Sequence, residues 1–132
     1  MTANLLRCLS AAMLILTGEC ATAPALSPAE MAELRQPVEC ADKPTCDRYW
    51  QRAQVWIARN SRYRIQTAND VLIQTFGPGG STTDLAFSLV REPVGAAGAS
   101  LISITAGCDN IFGCFPDSAS AVRDLKAFIV AQ

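Results

Sequence analysis

The stretch that decides the fold is residues 45–76, where TCDRYWQRAQVWIARN at 45–60 precedes YRIQTANDVLIQTF at 63–76. At 100° per residue, the apolar side chains of 45–60 fall on one side, which predicts an amphipathic helix capped by Thr45. That side comprises Cys46, Tyr49, Trp50, Ala53 and Ile57. Residues 63–76 instead alternate with a period of two around Asn69-Asp70, which predicts a β-hairpin with a two-residue turn. In that register the inner face carries Tyr63, Ile65, Thr67, Leu72, Gln74 and Phe76.

The same reasoning extends to both sides of this stretch. Residues 84–92 and 99–108 alternate and predict two more strands, and a final helix opens at 115–118. The inner residues of the two strands are Leu85, Phe87, Leu89, Ile102, Ile104 and Ala106. The last helix repeats Ala121, Val122, Leu125, Phe128 and Ile129 at helical spacing. Upstream, Ser27 and Glu30 can form a capping box for a short helix over 28–36, which Pro37 ends.

These elements predict an α+β fold in two layers. Short connections make the strands a four-stranded antiparallel meander, and both main helices pack on one of its faces. The order is α-β-β-β-β-α, preceded by a signal peptide and the short helix. We expect a signal peptide at 1–25, a linker with the short helix at 26–39, and a disulfide-stapled domain at 40–132.

The amino-terminal segment has the features of an export signal. Arg7 gives a positive start, LSAAMLIL at 9–16 forms a short apolar core, and small residues at 21–25 offer cleavage sites. Cys20 is a candidate lipidation site, although Glu19 before it departs from the lipoprotein pattern. The chain is therefore expected to be periplasmic or secreted, with a membrane-anchored lipoprotein as the alternative.

The predicted domain keeps four cysteines, Cys40, Cys46, Cys108 and Cys114. In an exported chain, four cysteines indicate two disulfides, and three pairings are possible. The local pairs Cys40–Cys46 and Cys108–Cys114 are favoured, because each lies in a loop that enters a predicted helix. Each bridge would then stabilise the fold by about 2 kcal/mol. The competing interpretation is a four-thiolate zinc site, but zinc ligands are usually spaced more closely within each pair.

Composition excludes several classes of function. The chain has 12 acidic and 11 basic residues and no histidine. Nucleic-acid binding would need a strong basic excess. Without histidine, the commonest general base and the commonest metal ligand are absent. We therefore expect no catalytic residue, metal or cofactor, and a protein that is not an enzyme.

An arginine-rich surface is the first candidate for binding. Arg48, Arg52 and Arg59 lie opposite the apolar side of the predicted helix, and Arg62 and Arg64 follow it. A surface of this kind suits an acidic protein or an anionic envelope component. The alternative is a solvated face whose arginine stems cover the edges of the core.

The loop 109–113, DNIFG, is the second candidate. A disulfide would hold Asp109, Asn110 and Phe112 in a tight ring, with Phe115 beside them. Constrained aromatic side chains are good anchors because they lose little entropy on contact. The alternative is that the aromatic residues fold back over the core. Asp109 and Asn110 alone are too few oxygen ligands for calcium.

Two further features leave alternatives open. Asp84, Glu92 and Asp109 are isolated acids, and nothing in the sequence pairs two of them as glycoside hydrolysis requires. On the outer face of the sheet, Val71, Ile73 and Val90 form either an association surface or an ordinary strand surface.

The segments 46–57, 63–67 and 107–110, with Gly113-Cys114, resemble small exported proteins of unknown function from Gram-negative bacteria. The resemblance covers about residues 40–130. It implies the compartment and a lipoprotein relationship, and it carries no activity.

The leading hypothesis is a non-catalytic exported cell-envelope protein that binds another macromolecule. Its partner would be an unknown protein or an anionic envelope component, with no nucleic acid, and with membrane contact only if Cys20 is lipidated. One alternative is a small protein inhibitor of an envelope-directed hydrolase, which would insert the 109–113 loop. A second alternative is a hydrolase that uses acidic residues without histidine.

Overall fold

The structure is a computed structural model that describes residues 25–132. The expected lipidation site Cys20 and all but the last residue of the expected signal peptide lie outside the described residues. In chain order the elements are α1 (Pro28–Arg35), β1 (Val38–Cys40), α2 (Lys43–Asn60), β2 (Ile65–Ala68), β3 (Leu72–Thr75), β4 (Ala86–Pro93), β5 (Ser100–Gly107) and α3 (Ser118–Val130).

The sheet has five strands, so the prediction of four was wrong. Its order is β1-β5-β4-β3-β2, and all neighbouring strands are antiparallel. Strands β2 to β5 form the predicted meander. The additional strand, β1, pairs with β5, so that Val38 lies opposite Ile102 and Cys40 opposite Ser100. Three residues are too few to show a period of two, which explains why this strand was assigned to the linker.

The helix α2 begins earlier than predicted, because Asp42 and not Thr45 is its cap. The Asp42 carboxylate accepts a hydrogen bond from the backbone N–H of Thr45 at 2.8 Å. Lys43 and Pro44 form the first turn, where proline is tolerated because its missing N–H would have no helical partner.

The hairpin of β2 and β3 contains a bulge, and its predicted register was wrong. Ile65 lies opposite Thr75, but Thr67 lies opposite Gln74, so one extra residue is accommodated on β2. Without it, Ile65 and Ile73 would point to opposite faces of the hairpin; the bulge turns both toward the helices. Ile73 is completely buried in consequence.

The turn of this hairpin also lies one residue later than predicted. The N–H of Asn69 donates to the carbonyl of Leu72, and the Asn69 side chain accepts from the N–H groups of Val71 and Leu72. The turn residues are therefore Asp70 and Val71. The faces of β3 are exchanged relative to the prediction: Ile73 and Thr75 are inner residues, and Leu72, Gln74 and Phe76 are not.

Both main helices pack on the same face of the sheet, as predicted. A single core cluster joins α2 and α3 to the inner side chains of β3, β4 and β5. Its fully buried members are Ala53, Ile57, Ile73, Leu89, Ile102, Leu125 and Ile129. The indole N–H of Trp50 donates to the carbonyl of Asn69 at 2.7 Å, and Trp56 packs edge-on against Phe87 with ring centroids 5.5 Å apart.

The local disulfide pairing is confirmed. Cys40 is bonded to Cys46, which joins β1 to α2, and Cys108 is bonded to Cys114, which closes the loop between β5 and α3. Two structural disulfides indicate a compartment other than the reducing cytoplasm. Within residues 25–132, none of the helices has the length and apolar character needed to cross a bilayer.

Lys126 of α3 binds the carboxyl end of the short helix α1. Ser27 and Glu30 form the predicted capping box at its start. At its end, the Lys126 ammonium donates to the carbonyls of Glu33, Leu34 and Gln36 at 3.0, 2.8 and 2.6 Å. Burial lowers the pKa of Lys126. A cation at the carboxyl end of a helix satisfies carbonyls that have no helical partner.

Candidate functional site

The loop between Cys108 and Cys114 is built around Asn110. The Asn110 side-chain oxygen accepts a hydrogen bond from the N–H of Phe112 at 2.9 Å, and its carbonyl accepts from the N–H of Gly113 at 3.2 Å. Gly113 has a φ of +101°, which favours glycine. Asn110 was predicted as a binding residue; the structure gives it the role of shaping the loop.

This loop is braced by a neighbouring one, residues 76–85, between β3 and β4. The Asn110 side-chain amide donates to the carbonyl of Ser81 at 2.6 Å, and the N–H of Phe115 donates to the carbonyl of Thr83 at 2.9 Å. The disulfide and these two hydrogen bonds together fix the loop at three points. Its shape is therefore set before any partner arrives, which lowers the entropic cost of binding.

Tyr63 packs against the bracing loop, residues 76–85. Its hydroxyl lies 2.7 Å from the hydroxyl of Thr82 and accepts a hydrogen bond from the N–H of Gly79 at 3.4 Å. At Gly77, an added Cβ would lie 2.7 Å from the Tyr63 ring, so only glycine allows this approach. The sequence assigned Tyr63 to the inner strand face, and nothing in its spacing indicated this contact.

Three large apolar side chains project from the loop and from the residue that follows it. Ile111 is 93% exposed, Phe112 90% and Phe115 81%. We call these residues the apolar tip. The alternative in which the aromatic residues fold back over the core is thereby excluded. Single exposed apolar residues are ordinary, but three of them within residues 111–115, on and beside a braced loop, are typical of an interaction site.

A small cavity opens beside the apolar tip, between the end of α2 and the start of α3. It has a volume of about 160 Å³, and its lining includes Trp56, Asp84, Phe115 and Asp124. Arg62 pairs with Asp84 at 3.3 Å. The predicted acids Glu92 and Asp109 do not line this cavity. The other acid in its lining is Asp124, a residue that sequence reasoning did not single out.

The arginines of the predicted binding surface do not all line one site. The Arg52 Nε donates to the carbonyl of Phe128 at 2.8 Å, and its guanidinium lies 4.6 Å from the Phe128 ring centroid. Arg52 therefore joins α2 to α3. The Arg48 guanidinium lies 5.7 Å from the Tyr49 ring centroid, and Arg48 and Arg52 line a common cavity of about 360 Å³. Arg59 and Arg64 are exposed and do not line it.

A charged contact that the sequence did not predict holds the start of α2 against the sheet. The Asp47 carboxylate accepts from the Lys43 ammonium at 2.6 Å and from the Arg91 guanidinium at 2.9 Å. The hydrogen bonds from Lys43 and then Arg91 lower the pKa of Asp47. Arg91 is nearly buried while Lys43 is exposed. Of the two ion pairs, the one with Arg91 therefore contributes more to the stability of the fold.

The helix α3 begins immediately after the apolar tip. Asp117 caps it by accepting a hydrogen bond from the N–H of Ser120 at 2.9 Å, and hydrogen bonding from Ser120 lowers the pKa of Asp117. This cap fixes the start of α3 two residues after Phe115. Among residues 25–132, no group of three or more Cys, Asp or Glu side chains is placed to hold a metal ion.

Comparison of the chain with protein-family models, with curated proteins and with solved structures finds no match. The braced apolar tip is the feature whose exposure most needs a functional explanation.

Proposed function

We propose that this is a non-catalytic exported protein of the cell envelope that binds a partner protein through its apolar tip. The observation that carries the proposal is the exposure of Ile111, Phe112 and Phe115 on a loop fixed at three points. Removing a large apolar side chain from water contributes about 1.5–3 kcal/mol. A protein that displays three of them without a partner loses that stabilisation.

Charge around the tip favours a protein partner over an anionic surface. Asp109 and Asp117 are exposed on either side of the tip. Anionic lipid headgroups and nucleic acid would be repelled by these carboxylates. A concave apolar pocket with a neutral or basic rim is the complementary surface.

The compartment belongs to the same proposal. The two disulfides need an oxidising environment, and residues 1–25 have the pattern of an export signal. Release into the periplasm or secretion meets both requirements. Attachment to a membrane through Cys20 is the alternative within this proposal.

A projecting loop also favours a second candidate, a protein inhibitor of an envelope-directed hydrolase. The loop is closed by a disulfide and braced by two hydrogen bonds, and such a loop can enter the cleft of an enzyme without being reshaped. In that case Phe112, at 90% exposure, would occupy the cleft.

The test compares two surface variants of the immobilised protein. Ile111→Ser combined with Phe112→Ser removes the tip, and Arg48→Glu combined with Arg59→Glu reverses the arginine surface and spares Arg52, which packs on Phe128. Each is exposed to envelope extract, and the affinity of every recovered protein is then measured in purified form. We expect the tip variant to bind its partner about 100-fold more weakly and the arginine variant to bind normally.

Equal affinity of the wild type and the tip variant for every partner would refute the proposal. Loss of binding in the arginine variant alone would show that the arginine surface, and not the apolar tip, binds the partner. If the partner is a hydrolase, its inhibition by the wild type and not by the tip variant selects the inhibitor candidate.

A further inference from the structure

We propose that the open edge of β5, with the apolar groove beside it, is a second binding site, which takes an extended peptide segment of another protein as an added β-strand. This site goes beyond the proposed function and does not depend on the apolar tip.

The edge itself is the first observation. β5 pairs with β4 along its whole length, from Ser100 to Gly107. On its other side, β1 covers only residues 100–102. In the part of the chain that the structure describes, residues 103–107 have no strand neighbour on that side. Alternate N–H and C=O groups of this segment therefore face outward without a strand partner, as on any sheet edge.

The open edge arises because β1 begins only at Val38, opposite Ile102. Pro37 precedes Val38, and the chain before it departs into α1 toward α3. The free position is thus a continuation of one that this chain already fills for three residues. Five residues remain open, which corresponds to a strand of about 16 Å.

The groove is the second, independent observation. It lies along the inner side of the open edge and has a volume of about 230 Å³. Its walls are mainly apolar and come from three elements: Met31 and Leu34 of α1, Ile104 and Ala106 of β5, and Ala119 and Val122 of α3. The volume is below the range typical of sites for small organic ligands, about 300–1,000 Å³. It suits an apolar side chain carried by a longer chain.

The outer wall of the groove is fixed in advance. Lys126 holds the last carbonyls of α1, and Leu34 packs against the core. A peptide would therefore enter a preformed slot between a strand edge and a helix, and its binding would not have to order α1.

The two observations together define the occupant. Unpaired backbone groups call for another backbone, which an extended peptide supplies and a compact ligand does not. In such a peptide every second side chain points to the same face, so alternate residues meet the groove. The ligand is therefore an extended segment with an apolar residue at alternate positions.

The probe is a panel of capped seven-residue peptides in which threonine alternates with leucine, valine or phenylalanine. The readout is amide hydrogen exchange of the full chain by NMR. We expect at least one peptide to slow exchange about tenfold at outward-facing amides within 103–107. Each binder is then made in two N-methylated forms, with alternate amides blocked in either register. One form should bind about tenfold more weakly, because its hydrogen bonds to β5 are lost, and the other should bind as before.

Matched variants test the groove. Met31→Asp places a charge in the groove, and Ala32→Asp places the same charge on the exposed side of α1. We expect only Met31→Asp to weaken peptide binding. The tip variant should bind the peptides normally, so failure at this site and failure of the proposed function are distinguishable.

Three results would overturn the inference. The first is that no peptide of the panel slows exchange at 103–107 at about 1 mM. The second is equal binding of both N-methylated forms. The third is slow amide exchange at 103–107 in the absence of peptide that becomes fast when the protein is diluted. That result would assign the edge to a second copy of this chain.

Discussion

The exchange of faces on β3 predicts a large difference between two adjacent positions. Ile73 is completely buried in the core, and Leu72 is half-buried on the opposite face. Mutation of either residue to alanine removes three carbon atoms, so the chemistry of the two changes is matched. For Ile73→Ala, the transfer of these atoms costs about 2.4 kcal/mol, and a cavity left in the core raises the total to about 3.5 kcal/mol. For Leu72→Ala we expect about 1 kcal/mol, because no closed cavity remains.

The assay is urea unfolding followed by the fluorescence of Trp50 and Trp56, which lie on α2. Ile73→Ala should lower the free energy of unfolding by about 2.5 kcal/mol more than Leu72→Ala does, with an unchanged m-value. In thermal unfolding this corresponds to a Tm lower by about 10 °C. Equal losses, or a larger loss for Leu72→Ala, would refute the bulged register and restore the register that places Leu72 inward.

Three further predictions concern the loop and the helix caps. Asn110→Ala removes the acceptor of the Phe112 N–H together with the brace to Ser81, so the Phe112 amide should exchange about tenfold faster with little loss of global stability; an unchanged rate would contradict the hydrogen bond from Phe112 to Asn110. Replacing Cys108 and Cys114 by serine should cost about 2 kcal/mol in urea unfolding, as expected for a seven-residue ring, and a cost near zero would show that the loop is ordered by its hydrogen bonds alone. Hydrogen bonds from Thr45 and Ser120 lower the pKa values of Asp42 and Asp117. The contribution of these two carboxylates to folding stability is therefore complete above the unfolded pKa of about 3.9. It is lost as the pH falls through their lower pKa values in the folded state. Stability should decrease on acidification below about pH 4, and the variant Asp42→Asn/Asp117→Asn, which keeps both caps, should show a smaller decrease; an identical pH profile would exclude these two carboxylates as its source.

Long, strongly periodic segments were predictable from the sequence. The apolar spacing of α2 and α3 and the alternation of β4 and β5 placed most of their core residues correctly, because burial repeats over several turns or pleats. Phe128 is an exception, since it is half-buried and packs against Arg52 outside the core cluster. The local disulfides followed from the position of each cysteine pair before a helix. These features depend on neighbouring residues, which a single sequence contains.

The missed features depend on contacts between distant parts of the chain. β1 is a strand only because β5 lies beside it, and the bulge in β2 exists because Ile65 and Ile73 both need the same core. The cap of α2 was ambiguous, since Asp42 and Thr45 are both good capping residues.

The features of the candidate site that sequence reasoning missed also depend on contacts between distant parts of the chain. Residues 109–113 were predicted as a constrained loop, but the hydrogen bond that braces them joins Asn110 to Ser81, twenty-nine residues away. Arg52 was assigned to a binding surface, whereas its contact with Phe128 spans seventy-six residues. Neither contact leaves a local pattern in the sequence.

The central claim, that a partner protein binds at the apolar tip, is tested most directly by site-specific cross-linking. A photoreactive phenylalanine analogue is placed at position 112, and in a second protein at position 59 on the arginine surface, and both are irradiated in intact cells. Both positions are exposed. The account predicts a discrete cross-linked protein from position 112 and none from position 59. A cross-link from position 59 alone, or none from position 112, would contradict it.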